Sequence, residues 1–131
     1  MIPNDLKYTN DHEWVRVNGD VAEIGITDFA QEQLGDIVFV EVPALGTVLE
    51  AGERLGVVES VKTVSDVFAP VSGEVIEINP LLVEDNDEFS PEIVNSDAFG
   101  KGWMVRVRMS NAAELDKLLS AADYKIVTEE A

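Results

Sequence analysis

Hydrophobic and polar residues alternate in two short stretches near the start of the chain. Residues 14–17 (WVRV) and 21–24 (VAEI) each follow a period of two, which is typical of half-buried strands. Asn18, Gly19 and Asp20 separate the two stretches, and Asn and Gly accept the positive φ that tight hairpin turns require. The pattern therefore predicts a β-hairpin over 14–24.

A short helix and a strand are predicted next. Thr27 can cap a helix that runs through Gln33 or Leu34 and ends at Gly35. The apolar run IVFVEV over 37–42 then predicts a largely buried strand that Pro43 stops.

Short strands interrupted by Gly and Pro fill the middle of the chain, a spacing that favours a small sandwich or barrel. The stretch GTVLE at 46–50 resembles GEVIE at 73–77. If this similarity is a true repeat, two similar β units flank the segment between them, and we expect them to pack face to face around a shared core.

The last third of the chain has helical features. Asn111 and Glu114 have the spacing of a capping box, and an apolar face follows at Leu115, Leu118 and Leu119. The pattern predicts a C-terminal helix there and a second one that contains Tyr124 and Ile126.

Residues 57–68, VVESVKTVSDVF, contain one lysine, Lys62, with Glu59 before it and Asp66 after it. A helix would place the valines on one face and pair Lys62 with both acids. Strand is the better interpretation, because five of the twelve residues are valine and β-branched side chains pack well on a pleated surface. The alternation falters in the middle, so we expect a hairpin that folds at Val61 and Lys62 although it lacks Gly, Asn and Pro.

Length and charge limit the classes of function. At 131 residues the chain is expected to form a single domain, 1–131, around one core. A net charge of −17 argues against nucleic acid and anionic membranes as partners and favours partners with basic docking surfaces. The N-terminal sequence MIPNDLKYTN lacks the features of a signal or transit peptide, so a soluble cytoplasmic protein is expected unless a presequence has been removed.

The chain has few residues that carry chemistry. It contains no cysteine, which excludes disulfides, thiolate metal sites and cysteine nucleophiles. Its one histidine is His12. The acidic run at 84–88 lacks the glycine and the final glutamate of a calcium-binding loop, which favours a solvated loop. A conventional enzyme is therefore not indicated.

Several segments, in order along most of the chain, resemble the H proteins of the glycine cleavage system. They are His12-Glu13-Trp14, GITDFAQEQLGDIVFVEVP at 25–43, AGERLGVVESVKTVSDVFAPVSGEVIEIN at 51–79, PEIVN at 91–95 and GKGW at 100–103. The ESVK motif, followed by SD and APVSGEV at the spacing of the family, is the most specific of these matches.

The resemblance implies a mainly β fold, a flattened barrel-sandwich hybrid, with a short helix in the N-terminal half and helices at the C-terminus. It implies that Lys62 carries lipoic acid in amide linkage as N6-lipoyllysine. Glu59 and Asp66 would be recognised by the lipoylating enzyme and would also be charge partners of Lys62. Glu13, the glutamate of the His-Glu-Trp segment, would hold the loaded arm in a cleft.

The implied function is that of a carrier and not of an enzyme. A PLP-dependent glycine decarboxylase would load an aminomethyl group on the lipoyl sulfur, an aminomethyltransferase would pass the carbon to tetrahydrofolate, and dihydrolipoyl dehydrogenase would reoxidise the arm. With the lipoate-attaching enzyme these are the expected partners, and a monomer is expected when the protein is free. The same resemblance also allows a protein that relays lipoyl groups to other acceptors.

The chain departs from the family pattern at three places. Thr63 and Val64 follow Lys62 where small residues are commoner, the connection 79–91 is longer, and 97–100 (DAFG) replaces a Pro-Tyr-Gly-like turn.

Two further alternative functions remain. A biotin carrier would share the fold, although its lysine usually lies between methionines, and an acidic β domain that is never modified would only bind other proteins.

Overall fold

The computed structural model describes residues 2–130. Within this range the chain forms strands β1 to β9 and helices α1 to α3, with two 3₁₀ helices at Pro80–Leu82 and Ala112–Lys117. The strands are β1 Lys7–Tyr8, β2 Glu13–Asn18, β3 Val21–Ile26, β4 Ile37–Glu41, β5 Val48–Leu49, β6 Arg54–Ser60, β7 Val64–Phe68, β8 Gly73–Ile78 and β9 Val105–Met109. The helices are α1 Asp28–Leu34, α2 Ile93–Ser96 and α3 Ala121–Glu130.

The strands form two antiparallel sheets, as the predicted barrel-sandwich hybrid requires. One sheet has six strands in the order β1-β2-β3-β9-β8-β5, and the other has three in the order β4-β6-β7. Buried side chains from both sheets, among them Ile24, Val75, Val40 and Val58, belong to one apolar cluster. The two sheets therefore enclose a common core, whose burial from water is the main source of stability.

A second, aromatic cluster fastens the C-terminal helix to the outside of the six-stranded sheet. It contains Tyr8, Trp14 and Tyr124, all fully buried, and the rings of Tyr8 and Tyr124 are stacked with centroids 4.7 Å apart. Because successive side chains of a strand point to opposite faces, Trp14 enters this cluster while Val15 enters the main core. The first half of β2, up to Val15, is therefore buried on both faces.

The predicted first hairpin and first helix are confirmed. Strands β2 and β3 pair with Asn18 opposite Val21, and Gly19 in the turn has a φ of 65°. Thr27 is the N-cap of α1, and its side chain accepts a hydrogen bond from the Ala30 N–H. Gly35 ends the helix with a φ of 83°, a conformation that glycine adopts without steric cost.

Three structural predictions need correction. Strand β4 is not largely buried, because only Ile37 and Val40 are enclosed and Val38 is exposed where a bulge interrupts its pairing with β6. The similar stretches at 46–50 and 73–77 do not pack face to face. They are neighbours in one sheet, with Val48 opposite Glu74 and Leu49 opposite Gly73.

The third correction concerns the predicted C-terminal capping box. Asn111 does accept a hydrogen bond from the Ala113 N–H, but the segment is a 3₁₀ helix and not an α-helix. Glu114 binds the N–H and the hydroxyl of Ser72 instead of completing the box. The second predicted helix is confirmed as α3, which contains Tyr124 and Ile126.

Candidate functional site

The predicted hairpin at 57–68 is confirmed, and Lys62 lies in its turn. Strands β6 and β7 pair up to Glu59 opposite Val64, and the Ser60 N–H donates to the Thr63 carbonyl over 2.8 Å. Lys62 is exposed, as are Val61 and Val64, of whose surface 69% and 61% are accessible. An amine at this position can enter the active site of another protein.

The hydroxyl of Ser60 replaces the Gly, Asn or Pro that such a turn usually contains. Its oxygen accepts from the N–H groups of Lys62, at 3.3 Å, and Thr63, at 3.1 Å, and donates to the Thr63 carbonyl at 3.3 Å. A hydroxyl has one donor and two acceptor sites, so Ser60 uses all of them on the turn. The lysine therefore sits on a fixed backbone.

The segment between α1 and β4 supports the turn from the side. The Val61 N–H donates to the Asp36 carbonyl over 3.0 Å. Asn95 of α2 holds the same segment, because its amide donates to the Gly35 carbonyl and accepts from the Ile37 N–H. The PEIVN motif thus contributes to the rigidity of the turn.

The predicted ion pairs between Lys62 and its acidic neighbours are absent from the described residues. Asp66 lies 3.6 Å from Arg54 on the adjacent strand, and the described part of the chain has no ion pair of Glu59. Val57 stands opposite Asp66 and Glu59 opposite Val64 in the β6–β7 register, so both acids lie on the outer face of the hairpin. Their proposed recognition by a modifying enzyme stays a prediction.

A cleft of about 340 Å³ begins close to Lys62. The stem of Lys62 runs over Gly35, where a Cβ would stand 3.5 Å from the lysine Cε. The neighbouring Leu34 is in the wall of the cleft, as is Ser65 of β7. The other lining residues are Asp11, His12, Phe29, Ala30 and Gln33. An arm on Lys62 that folded back along α1 would enter this cleft.

Glu13 lies beside the cleft but is buried, with 2% of its surface exposed. One carboxylate oxygen accepts from the Thr9 hydroxyl over 2.5 Å, and the other accepts from the Phe68 N–H over 3.1 Å. Burial raises the pKa of Glu13, although these two hydrogen bonds act in the opposite direction. Each oxygen keeps a lone pair, but a ligand in the cleft reaches it only after a local shift of the wall.

His12 is a cleft residue that the sequence interpretation left without a role. Its φ of 71° is the one positive value among the non-glycine residues described. Its ring lies against Phe29, with centroids 4.8 Å apart, and its Nδ1 is 2.8 Å from the Tyr124 hydroxyl. Burial lowers the pKa of His12, so the imidazole is neutral at physiological pH.

A first prediction concerns Ser60. In Ser60→Ala the N–H groups of Lys62 and Thr63 lose their acceptor, so we expect both amides to exchange hydrogen faster and the protein to lose about 1 kcal/mol of stability. Exchange followed by NMR and urea unfolding measure these effects. Ser110→Ala, at an exposed serine, is the control. Unchanged exchange at Thr63 would contradict the role of the hydroxyl.

Comparison with known proteins gives a consistent result. The family model described as "Glycine cleavage H-protein" matches residues 6–131. A glycine cleavage system H protein of Carboxydothermus hydrogenoformans is 55% identical over 130 residues, which are 99% of this chain and 96% of that protein. The protein of the same name from Bacteroides fragilis is 58% identical over 125 residues, 95% of each chain.

A solved structure resembles this one closely. The crystal structure of a glycine cleavage system H protein from Mycobacterium marinum superposes with a TM-score of 0.81 at 43% sequence identity. The match covers 94% of this chain and 95% of that one. Among the described residues, no helix combines the length and the apolar character needed to cross a membrane.

Proposed function

The chain belongs to the glycine cleavage H-protein family, and we propose that it is a lipoyl carrier that bears its cofactor on Lys62. The observation that supports this assignment is the position of Lys62 in the rigid, exposed turn between β6 and β7. A modifying enzyme needs an accessible primary amine on a fixed backbone, and the hydrogen bonds to the Ser60 hydroxyl and the Asp36 carbonyl fix the backbone of this turn.

The chemistry of the cycle belongs to the cofactor and to the partner enzymes. When bound, lipoic acid supplies a disulfide that accepts an aminomethyl group and two electrons, and later returns to the disulfide. The proposed partners are glycine decarboxylase, the aminomethyltransferase, dihydrolipoyl dehydrogenase and the lipoate-attaching enzyme. The chain itself presents the arm at the turn and shelters its end in the cleft next to α1.

Shelter is required because the loaded arm ends in an amine on a carbon bonded to sulfur, which water can decompose with loss of ammonia. The cleft next to Lys62 is lined by Phe29, Ala30 and Leu34 on α1, which exclude water, and by the carboxylate of Asp11. We propose that Glu13 binds the ammonium once the wall has moved. The free acceptor capacity of its two oxygens supports this role.

The intact mass of the protein purified from its natural host tests the proposed function. One lipoyl increment, mapped to Lys62, is the expected result. A biotin increment, or an unmodified protein in cells whose other lipoyl proteins are modified, would overturn it. The unmodified result would favour an acidic domain that only binds other proteins.

A second prediction is that docking to the partner enzymes depends on salt. With a net charge of −17, association with a basic surface is steered by electrostatics, and the Debye length falls to about 8 Å at physiological ionic strength. We expect the kcat/KM of dihydrolipoyl dehydrogenase for the reduced lipoyl protein to fall as salt rises. Free dihydrolipoamide is the control, and equal salt dependence for both substrates would contradict the prediction.

A further inference from the structure

The C-terminal helix reaches the cleft through one buried chain of hydrogen bonds. The Tyr124 hydroxyl of α3 is 2.7 Å from Thr27 Oγ1 and 2.8 Å from His12 Nδ1. Tyr124 and Thr27 are completely buried, so water cannot replace either partner. Three segments that are far apart in sequence meet at this hydroxyl.

The hydrogen atoms in these hydrogen bonds can be assigned by counting donors and acceptors. The Thr27 hydroxyl accepts from the Ala30 N–H, and its own hydrogen also needs an acceptor. The Tyr124 oxygen is the one acceptor within reach among the described residues, so Thr27 donates to Tyr124. The Tyr124 hydroxyl then donates to His12 Nδ1. If the direction were reversed, the buried Thr27 hydroxyl would have no acceptor, which is unfavourable.

This assignment fixes the tautomer of His12. Nδ1 is the acceptor, so the proton of the neutral ring is on Nε2, which has no hydrogen-bond partner among the described residues. The ring is in the wall of the cleft. Two hydrogen bonds fix the backbone of this residue, because the His12 N–H donates to the Thr9 carbonyl and the His12 carbonyl accepts from the Thr27 N–H. A donor is thus left for a ligand in the cleft.

We propose that Tyr124 is a positioning residue for the arm: through His12 it provides a neutral N–H donor to the sulfur end of a lipoyl group in the cleft. The inference rests on the proposed function as far as the ligand is concerned. A neutral imidazole can donate to a sulfur atom without repelling the ammonium of the loaded arm, whereas an imidazolium would repel it.

The surroundings of His12 are consistent with a neutral ring. Burial lowers its pKa, and the opposing influence of Asp11 is smaller. Of the other residues in the cleft wall, α1 contributes Phe29, Ala30, Gln33 and Leu34 and β7 contributes Ser65, none of which is charged. Protonation would also remove the acceptor of the Tyr124 hydroxyl, so the chain of hydrogen bonds opposes it.

Nitrogen NMR of untagged, unmodified protein tests the tautomer directly, because the chain has a single histidine. We expect the ¹⁵N shifts to show the proton on Nε2 in the wild type. Tyr124→Phe keeps the ring stacked on Tyr8 but should lower the population of the Nε2–H tautomer to that of a free neutral imidazole. Tyr8→Phe is the matched control, since it removes a buried hydroxyl of the same stack, one that binds the Pro3 carbonyl and not His12.

The proton on Nδ1 in the wild type would overturn the inference without any variant, and so would tautomer populations in Tyr124→Phe that equal those of the wild type. In lipoylated protein with the reduced arm we expect a shift change at Nε2 in the wild type and in Tyr8→Phe, and a several-fold smaller one in Tyr124→Phe. Equal shift changes in all three would also overturn it. If Lys62 carries no lipoyl group in the natural host, the proposed function fails, and the measurements on unmodified protein still decide the role of Tyr124.

Discussion

Lys62→Arg is expected to abolish lipoyl attachment completely and to leave the fold unchanged. Arginine keeps the charge and a long stem, but its guanidinium does not lose a proton and cannot form the amide. The described structure contains no hydrogen bond or ion pair of the Lys62 side chain, so the free energy of unfolding should change by less than about 0.5 kcal/mol.

Incubation with a lipoate-attaching enzyme, followed by intact mass and peptide mapping, measures the effect. The chain has four other lysines, and Lys101→Arg serves as a control that should be modified at the wild-type rate. Lipoyl found on Lys101 or Lys7 with Lys62 bare would end the assignment of the site.

Glu13→Gln is expected to speed the decay of the loaded arm roughly tenfold. The amide is the size of the carboxylate and can keep one contact by accepting from the Phe68 N–H. The contact with Thr9 is lost, because Thr9 Oγ1 already accepts from the N–H groups of Asp11 and Glu13 and cannot also accept from the amide. The substitution also removes the charge. A hydrogen bond to a charged group contributes about 1.5 to 3 kcal/mol and a neutral one about 0.5 to 1.5, a difference that corresponds to roughly a factor of ten.

The substitution also has two opposing effects on the free energy of unfolding. Burial raises the pKa of Glu13 above its ordinary value of 4.5, so ionisation of this carboxyl costs more in the folded protein than in the unfolded chain. A raised pKa contributes stability below the unfolded value, and this contribution is lost as the pH rises through the folded value. At pH 7 the removal of the buried charge should therefore offset the loss of the Thr9 hydrogen bond, and urea unfolding should show a change of less than about 1 kcal/mol.

The decay is measured as ammonia release from loaded protein without the aminomethyltransferase. Glu13→Ala should also accelerate it several-fold, but that variant leaves the Phe68 N–H and the Thr9 hydroxyl unpaired, so the glutamine variant is the sharper test. Asp11→Asn is the comparison, because Asp11 is the carboxylate in the wall itself. Faster decay in Asp11→Asn alone would transfer the role from Glu13 to Asp11.

The local elements could be predicted where neighbouring residues decide them. The turn at 18–20 and the Thr27 cap depend on side chains that act within three residues of their own position. The failing alternation alone predicts the hairpin at Val61 and Lys62. What stabilises it, the hydroxyl of Ser60, is also local, and a serine two residues before the lysine was the available signal.

The errors arose where distant residues decide the structure. Glu114 has the spacing of a cap, but Ser72 offers it two hydrogen bonds, and this contact competes with helix capping. Distance along the chain predicts an ion pair of Asp66 with Lys62, whereas the pairing of β6 with β7 places Asp66 beside Arg54. The contact of His12 with Tyr124 joins residues 112 positions apart, so no local pattern indicates it.

The short outer strands of the six-stranded sheet also bear on how the protein behaves at high concentration. An unpaired strand edge can template the addition of another chain, and proteins limit this hazard with short or bulged edges. Here β1 and β5, at the two ends of that sheet, have two residues each, and the edge strand β4 of the smaller sheet is bulged next to Val38. We therefore expect these three edges to resist the addition of another chain when the protein is abundant.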